Sequence, residues 1–447
     1  MKASASPPPS SDSQPRLQDY LPVIALPFLP ILAFTAPPFH GRGLVFAGLI
    51  ITTYSLSLAS PWPANVGPTR QSRYGIASAW LLVLPTLERL LLHVPERDFW
   101  RVDDVNGKDG PSGRHDEAAK APPPPPAAWT WRKLCWATAL ASSPRGVGWN
   151  IASRRVSSAH EAMARQRIGR SAFVRACLGR AACAYLALDA ALVVGRDLPV
   201  PAAWLWNWGT VREVVAAEGL MLVCTYASMA LQFEVLAAVL VGIGLSRPED
   251  WPPLFGSLAD CYTVSNVWEK FWHTYIRLPV LGLGHFAIRQ LRLPARSLIA
   301  NLVILIVAFG ISDFVHITSL AVIRDEALSL QELILDMSGF FMMQPVAAVA
   351  EALTIQWYHK FTSSTRLEAT REASASRGTL RIGREDSHPR GKLAPTIPRI
   401  IGYLWVLCWF SVTGWGFVKA YIAVGVRDWQ VPLSFWQVLM RQSWYKR

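Results

Sequence analysis

The apolar segment at about 296–323 carries three side chains able to handle a proton: Ser312, Asp313 and His316. At about 100° of turn per residue, Ser312 and His316 lie about 40° apart on a helix and Asp313 and His316 about 60° apart. One helix face therefore presents all three. A carboxylate and an imidazole inside hydrocarbon cost a few kcal/mol even on lenient insertion scales, so they face a water-filled cavity or the interior of a helix bundle. There they either do chemistry or hydrogen-bond helices together. A neutral imidazole is the side chain best matched to removing a hydroxyl proton near pH 7, which makes His316 the candidate general base. Asp313 is the candidate to fix its tautomer or merely to occupy space, and no serine nucleophile is required if an alcohol attacks directly.

A second cluster is NVWEKFWHTYIR, from Asn266 to Arg277. Read as a helix, Trp268, Phe271, Trp272 and Tyr275 form an aromatic stripe, while Lys270, His273, Thr274 and Arg277 crowd the other side. The pattern predicts an amphipathic helix at a lipid interface. An aromatic belt with snorkelling cations meets it equally well. Asn266, Trp272 and His273 are candidate donors to a developing oxyanion. Lys270, Arg277, Arg289 and Arg292 are candidate phosphate contacts, or ordinary juxtamembrane cations. A third set, Glu332, Asp336, Gln344 and Glu351 in the segment 329–357, suits a proton relay in a transporter. Glu332 and Asp336 also read as solvated at a membrane edge, and Glu351 as a cap.

These groups must be held by helices in a bilayer. The chain of 447 residues is 51% hydrophobic but only 17% charged, against about a quarter charged in soluble domains. Apolar runs long enough to span occur at about 20–38, 42–60, 74–94, 171–194, 214–245, 296–323, 329–357 and 397–426. The expected fold is an all-α, polytopic integral membrane protein of about eight transmembrane helices. The first run is studded with Pro22, Pro27 and Pro30, which mark a kink. A shorter run at 278–288 reads as re-entrant, or as a further span that would break the parity of an eight-helix count.

Residues 1–19, rich in Pro and Ser, are expected to be disordered, and 20–447 to form one membrane-embedded domain. Long connections at about 95–170, 247–295 and 360–396 follow odd-numbered helices in an eight-helix count. Lys and Arg total 44 against 31 acids, a net charge of +13. The positive-inside rule places the basic connections in the cytosol and both termini in the lumen. The same rule accounts for the basic excess without nucleic acid. The connection at 95–170 contains a polyproline spacer at 122–126 and an aromatic, basic stretch at 129–141 suited to an interfacial helix. The six cysteines are scattered without a CxxC pair or a Cys/His metal spacing, so neither disulfides nor a metal site is expected.

The ordered motifs resemble a family. Arg145-Gly-Val-Gly-Trp149, the lead-in Pro252-Pro253-Leu254-Phe255-Gly256-Ser257 to Ser265-Asn-Val-Trp-Glu-Lys-Phe-Trp-His273, and the intramembrane Ser312-Asp-Phe-Val-His316 are similar to wax-synthase-type acyltransferases of the membrane-bound O-acyltransferase superfamily. The likeness is greatest to fungal acetyltransferases of secondary metabolism and covers about residues 130–426. It implies that His316 is the catalytic base and that His273 ends the aromatic motif, with Asn266, Trp268, Trp272, Lys270, Arg277 and Ser312 around the substrates. Glu269 and Lys270 stand where the family has a Gly-Arg pair, and Asp313 where many members have Gly. The implied activity is transfer of an acyl group from acyl-CoA, in fungal members acetyl-CoA, to a hydroxyl of a lipophilic acceptor such as a terpenoid or polyketide-derived metabolite. No cofactor is implied; the implied partners are the acyl-CoA, the lipophilic alcohol and the bilayer, in the endoplasmic reticulum. A wax-ester synthase using fatty acyl-CoA and a fatty alcohol remains the enzymatic alternative, and a proton-coupled transporter the non-enzymatic one. No internal duplication of the kind common in transporters is evident.

Overall fold

In a computed structural model, the described residues are 20–60, 67–102, 124–199, 201, 207–272, 274–295, 297–326, 328–376 and 396–438. The N-terminal tail, His273 and most of the basic connection at 360–396 lie outside them. Among the described residues the chain is helical and contains no β-strand beyond one isolated antiparallel bridge between Arg101 and Trp149.

Prolines decide where the first apolar run breaks. It forms α1 (Leu21–Ala25), a 3-10 turn at Leu26–Phe28 and α2 (Leu29–Thr35), each with a proline at its first or second position. There the missing N–H is tolerated, so the helix restarts rather than continues. The next run is the uninterrupted α3 (Arg42–Ala59). The run at 74–94 is divided between α4 (Gly67–Ala77) and α5 (Trp80–Leu91). Arg89 of α5 is buried and donates to the carbonyls of Leu140 and Ser143, both at 2.6 Å. A buried guanidinium demands such acceptors, and they tie α5 to the following connection.

That connection carries α6 (Pro95–Asp98), α7 (Trp131–Ala141) and α8 (Arg154–Gln166). The polar caps Thr130 and Ser153 accept from Lys133 N and Val156 N to start α7 and α8. An antiparallel pair follows, α9 (Arg170–Asp197) and α10 (Trp208–Gly242), clasped by Arg180 on the Glu234 carboxylate at 2.8 and 2.9 Å. After the turn α11 (Val264–Asn266) come α12 (Arg277–Gln290), α13 (Leu298–Ala321), α14 (Leu330–Ser376) and α15 (Thr396–Ala423). Helices α12 to α15 pack in sequence, and α10 closes against α15.

Among the described residues, six helices are long and apolar enough to cross a bilayer: α3, α9, α10, α13, the part of α14 at Leu330–Tyr358, and the part of α15 at Pro398–Ala423. The count is lower than the eight expected because the first and third runs are broken. Large apolar side chains such as Leu44, Leu178, Val239, Leu335 and Leu407 point outward, as required when the solvent is lipid. The protein is thus a multi-pass membrane protein of all-α class. The interior holds clusters of buried apolar residues; one, containing Leu320, Met337, Phe340, Phe341 and Tyr421, joins α13, α14 and α15.

Candidate active site

Helices α10, α13, α14 and α15, together with α4, α5, α7 and the segment 267–277, surround a cavity of about 2170 Å³. His316 and Ser312 project into it from α13, Tyr421 from α15 and Tyr74 from α4. The His316 ring lies nearly parallel to Phe341 at 5.0 Å between centroids, and Phe417 meets it edge-on at 5.5 Å. Two aromatic neighbours hold the imidazole plane. Its Nδ1 is 2.9 Å from Tyr421 Oη, which is 2.8 Å from Tyr74 Oη. Three helices therefore converge on one hydrogen-bonded chain of imidazole and two phenols.

Asp313 shares the helix face but not the chain. Its Oδ2 accepts from Ser338 Oγ of α14 at 2.6 Å, and its buried Oδ1 has no hydrogen-bond partner. Asp313 does not line the cavity. Ser312 donates to the carbonyl of Ala308 at 3.0 Å, so its hydroxyl proton is used within its own helix.

The segment from Asn266 to Arg277 is not the continuous amphipathic helix that its spacing predicts. Residues Val267–Phe271 form one π-helical turn, closed by Trp272 N donating to Val267 O at 2.7 Å, and Trp272 is then extended (φ −63°, ψ 152°). The aromatic side chains turn inward. Trp268 and Trp272 both line the cavity, and Trp268 packs edge-on to Phe309 at 5.4 Å. Two polar residues of α14 impose this course. Gln344 Oε1 accepts from Trp268 Nε1 at 3.2 Å and from Trp409 Nε1 at 3.4 Å. The Glu351 carboxylate accepts from Val264 N, Ser265 N, Ser265 Oγ and Trp405 Nε1 at 2.5–3.0 Å. A carboxylate at the start of α11 satisfies donors that no helical carbonyl can reach.

The lead-in motif closes the same segment from outside. Gly256 N donates to Phe271 O at 2.9 Å, and a Cβ at Gly256 would collide with the Lys270 carbonyl. The Arg145 guanidinium is buried and spends all three nitrogens, on Thr274 Oγ1 (3.0 Å), Pro252 O (2.8 Å) and Pro253 O (3.0 Å). Burial pushes it down to about 10. Gly146 and Gly148, at φ +67° and +72°, let the chain fold around it.

Of the remaining expected residues, Arg277 lines the cavity and donates to the carbonyl of Glu269 at 3.3 Å, whereas Asn266, Lys270, Arg289 and Arg292 do not line it. The exposed Arg132 does. The carboxylates suited to a proton relay are engaged elsewhere. Glu332 forms a capping box with Ser329 at 2.7–3.1 Å, Asp336 pairs with Lys419 at 3.0 Å, and Glu351 holds α11; none of the three lines the cavity. No group of His, Cys, Asp and Glu suited to a metal ion is found among the described residues.

Sequence reasoning passed over Tyr421, Tyr74 and Glu218, all on the cavity wall. Glu218 had a signal, a carboxyl within an apolar run. The tyrosines had none, since a tyrosine near a helix end reads as an interfacial aromatic.

Residues 251–343 match the model of the Membrane bound O-acyl transferase family, the stretch that runs from the lead-in motif through His316 into α14. Acetyltransferase TRI7 of Fusarium sporotrichioides is 28% identical over 210 residues, 46% of this chain and 42% of the relative. Acetyltransferase aurG of Calcarisporium arbuscula is 30% identical over 246 residues, 51% of this chain and 52% of the relative. Acetyltransferase ataH of Aspergillus terreus is 35% identical over 125 residues, 27% and 39% of the two chains. The matches thus span about half the length of these relatives or less. The resemblance to membrane-bound O-acyltransferases, and to fungal acetyltransferases among them, is borne out. No solved structure matches the chain.

Proposed function

We propose that the protein is a membrane O-acetyltransferase that moves an acetyl group from acetyl-CoA to a hydroxyl of a lipophilic acceptor, with His316 as general base. The observation that carries this reading is His316 on the wall of a large, mostly apolar cavity, with one ring nitrogen committed to Tyr421. The names of the similar proteins support the acetyl donor over a fatty one.

The chemistry follows from the hydrogen-bonded chain. With His316 Nδ1–H donating to Tyr421 Oη and Tyr421 donating to Tyr74 Oη, Nε2 keeps its lone pair. The acceptor's hydroxyl gives its proton to Nε2 as its oxygen attacks the thioester carbonyl. The C–S bond then breaks, and the leaving thiolate of CoA takes the proton back from the imidazolium. While His316 is charged, Tyr421 stabilises the Nδ1–H as an acceptor, the role an aspartate fills in a Ser-His-Asp arrangement. Asp313 holds α13 to α14 through Ser338. Trp268, Trp272 and Ser312 shape the substrate space, His273 continues the aromatic motif, and Arg132 and Arg277 supply positive charge for the phosphates of CoA. Membranes of the endoplasmic reticulum are the proposed location.

The test is incubation of membranes from a heterologous host with acetyl-CoA or palmitoyl-CoA and a panel of terpenoid and fatty alcohols, read by product mass. Acetyl esters made by the wild type and lost in His316→Ala, with membrane insertion retained, are expected. Full activity in His316→Ala sinks the base assignment, and exclusive use of palmitoyl-CoA sinks the acetyl donor.

A further inference from the structure

A cavity of about 2170 Å³ has room for far more than an acetyl group, so its volume alone does not limit the acyl chain. The position of His316 within it does. On α13 the row of cavity-lining residues runs from Ile304 through Ser312 and His316 and ends at Ser319. At about 1.5 Å of rise per residue, about 18 Å of lined helix lies on the Ile304 side of His316 and only about 4.5 Å beyond it. On α15 the row starts at Tyr403, and Tyr421 is its last helical member. The His316–Tyr421 pair therefore stands at one end of a long cavity. Trp268 packs against Phe309 and Phe410, about two turns before His316 and about three before Tyr421. The segment that carries Arg277 thus belongs to the long side.

The end itself is made by the turn that follows α15. Val426 and Trp429 line the cavity there, and the Trp429 ring lies 5.0 Å from that of Tyr74, the last phenol of the hydrogen-bonded chain from His316. This turn is tied to α4 on both sides of Trp429. Arg70 Nη1 donates to Val424 O at 3.1 Å, and Gln430 N donates to Gln71 Oε1 at 3.3 Å. Gly425, at φ +82°, lets the chain reverse between them. An aromatic wall fixed at both flanks does not give way to an added methylene without strain.

We infer that Trp429, with Val426, sets the length of the acyl group by closing the cavity just past the reacting carbonyl. An acyl-CoA that enters with its phosphates toward Arg277 carries its thioester at the tip of the pantetheine arm, and the acyl chain continues away from that arm, toward Trp429. Beyond His316 a two-carbon group fits, whereas a six-carbon chain must displace the indole. Trp429 touches no reacting atom and decides only which donor fits. The inference rests on the acetyltransferase reading, but the binding preference it predicts requires neither an acceptor nor turnover.

The test uses the full chain in lipid nanodiscs and two CoA thioethers that cannot transfer their alkyl group, S-ethyl-CoA and S-hexyl-CoA, with binding measured by calorimetry. Since one methylene too many in a fitted pocket is worth about tenfold or more, wild type is expected to bind S-ethyl-CoA at least about tenfold more tightly than S-hexyl-CoA. Trp429→Ala is expected to bring that ratio to one or below, through a gain of S-hexyl-CoA affinity that misfolding does not produce. Trp429→Phe, which removes only part of the ring system, is expected to fall between, and it decides by its ratio if Trp429→Ala does not fold. The inference is overturned if wild type binds both probes alike, or if the folded variants keep the wild-type ratio. It is also overturned if Trp429→Ala keeps that ratio and changes only which alcohols are esterified, which assigns this end of the cavity to the acceptor. Binding of neither thioether by a normally melting wild type overturns the acyl-CoA reading and this inference with it. A preference for S-ethyl-CoA that Trp429→Ala abolishes, without any ester formed from a panel of alcohols, overturns the transferase reading and leaves the role of Trp429 standing.

Discussion

His316 Nδ1 and Tyr421 Oη lie 2.9 Å apart, joining α13 to α15 at the cavity wall, whereas Asp313, three residues before His316, turns its carboxylate to Ser338. The polar group that meets the imidazole's Nδ1 is thus a phenol from another helix. In Tyr421→Phe the imidazole keeps its aromatic neighbours but loses its hydrogen-bond partner at Nδ1, which in the proposed mechanism selects the tautomer with a free Nε2. We expect kcat for acetyl transfer to fall about 10- to 100-fold with little change in KM. His316→Ala is expected to fall by about 10²–10⁴, the usual worth of a general base. A rise in KM as large as the fall in kcat in Tyr421→Phe would point to a packing role instead.

Asp313 makes the contrasting prediction. Its bond to Ser338 ties α13 to α14, so Ser338→Ala leaves a buried carboxylate short of a donor and is expected to cost about 1–3 kcal/mol of stability. Asp313→Asn, which keeps an acceptor for Ser338, should retain most of the acetyl-transfer rate. Melting temperature and initial rate, measured on the same membrane preparations, separate the two effects. A rate in Asp313→Asn as low as that of His316→Ala would return Asp313 to the catalytic chain.

The two residues show how far the sequence could be read. A histidine inside an apolar run stands out because hydrocarbon penalises it, so His316 was legible, as was the helical, membrane-spanning class. Its partner was not, because Tyr421 lies 105 residues away and helical spacing relates only neighbours on one helix. The aromatic stripe from Trp268 to Tyr275 misled for the same reason. Its period is helical, but Gln344 and Glu351 on α14 bind Trp268 and the start of α11, and the backbone yields to them with a π-turn. Among the described residues six helices, not eight, are long and apolar enough to span, because Pro27 and Pro30 restart the first run and the third breaks after Ala77, a local backbone effect that hydropathy does not register.

Glu351 is expected to be needed for folding rather than for proton transfer. It satisfies two backbone N–H groups, a hydroxyl and the Trp405 indole, and Glu351→Ala strands all four. Strongly reduced stability is expected, about 1–3 kcal/mol for each donor left buried and unpaired, together with a change in tryptophan fluorescence as Trp268 and Trp272 leave the cavity. A Glu351→Ala protein that melts like wild type would contradict this.

Acid sensitivity is expected from the charged cluster between α3, α6 and α7. Glu96 accepts from Arg42 at 2.6 and 2.7 Å and from Lys133 Nζ at 2.9 Å. Burial alone would raise its carboxyl, but the hydrogen bonds and charges of Arg42 and Lys133 outweigh burial and hold it below the ordinary carboxylate range. The folded state therefore favours the ionised form. Its stabilisation is fully present above the unfolded pKa of about 4.3 and is lost as pH falls through the lower folded value. Melting temperature measured from pH 6 downward should begin to fall near about pH 4. Arg42→Met, Glu96→Leu and Lys133→Met combined remove the cluster as a unit, which is often neutral or stabilising, and should flatten that part of the curve. An unchanged acid limb in the triple variant would locate the sensitivity elsewhere.

Gly256 tests whether the lead-in motif acts through backbone contact. Its amide donates to Phe271 O at 2.9 Å, and the Lys270 carbonyl occupies the place a Cβ would take. Backbone atoms cannot swing aside as a flexible side chain can, so Gly256→Ala must push the loop away from the π-turn. Overpacking of this kind costs about 1–3 kcal/mol. Because the π-turn carries Trp268 and precedes Trp272, the displacement also reaches the cavity wall. We expect Gly256→Ala to lower the melting temperature and to raise KM for the acceptor, with His316 still in place. Gly219, with nothing within 4 Å of a built Cβ, is the matched control: Gly219→Ala lies in the interior of α10 and is expected to hold or raise stability, by up to about 1 kcal/mol. Equal behaviour of the two alanine variants would remove the backbone contact as the reason for glycine at 256.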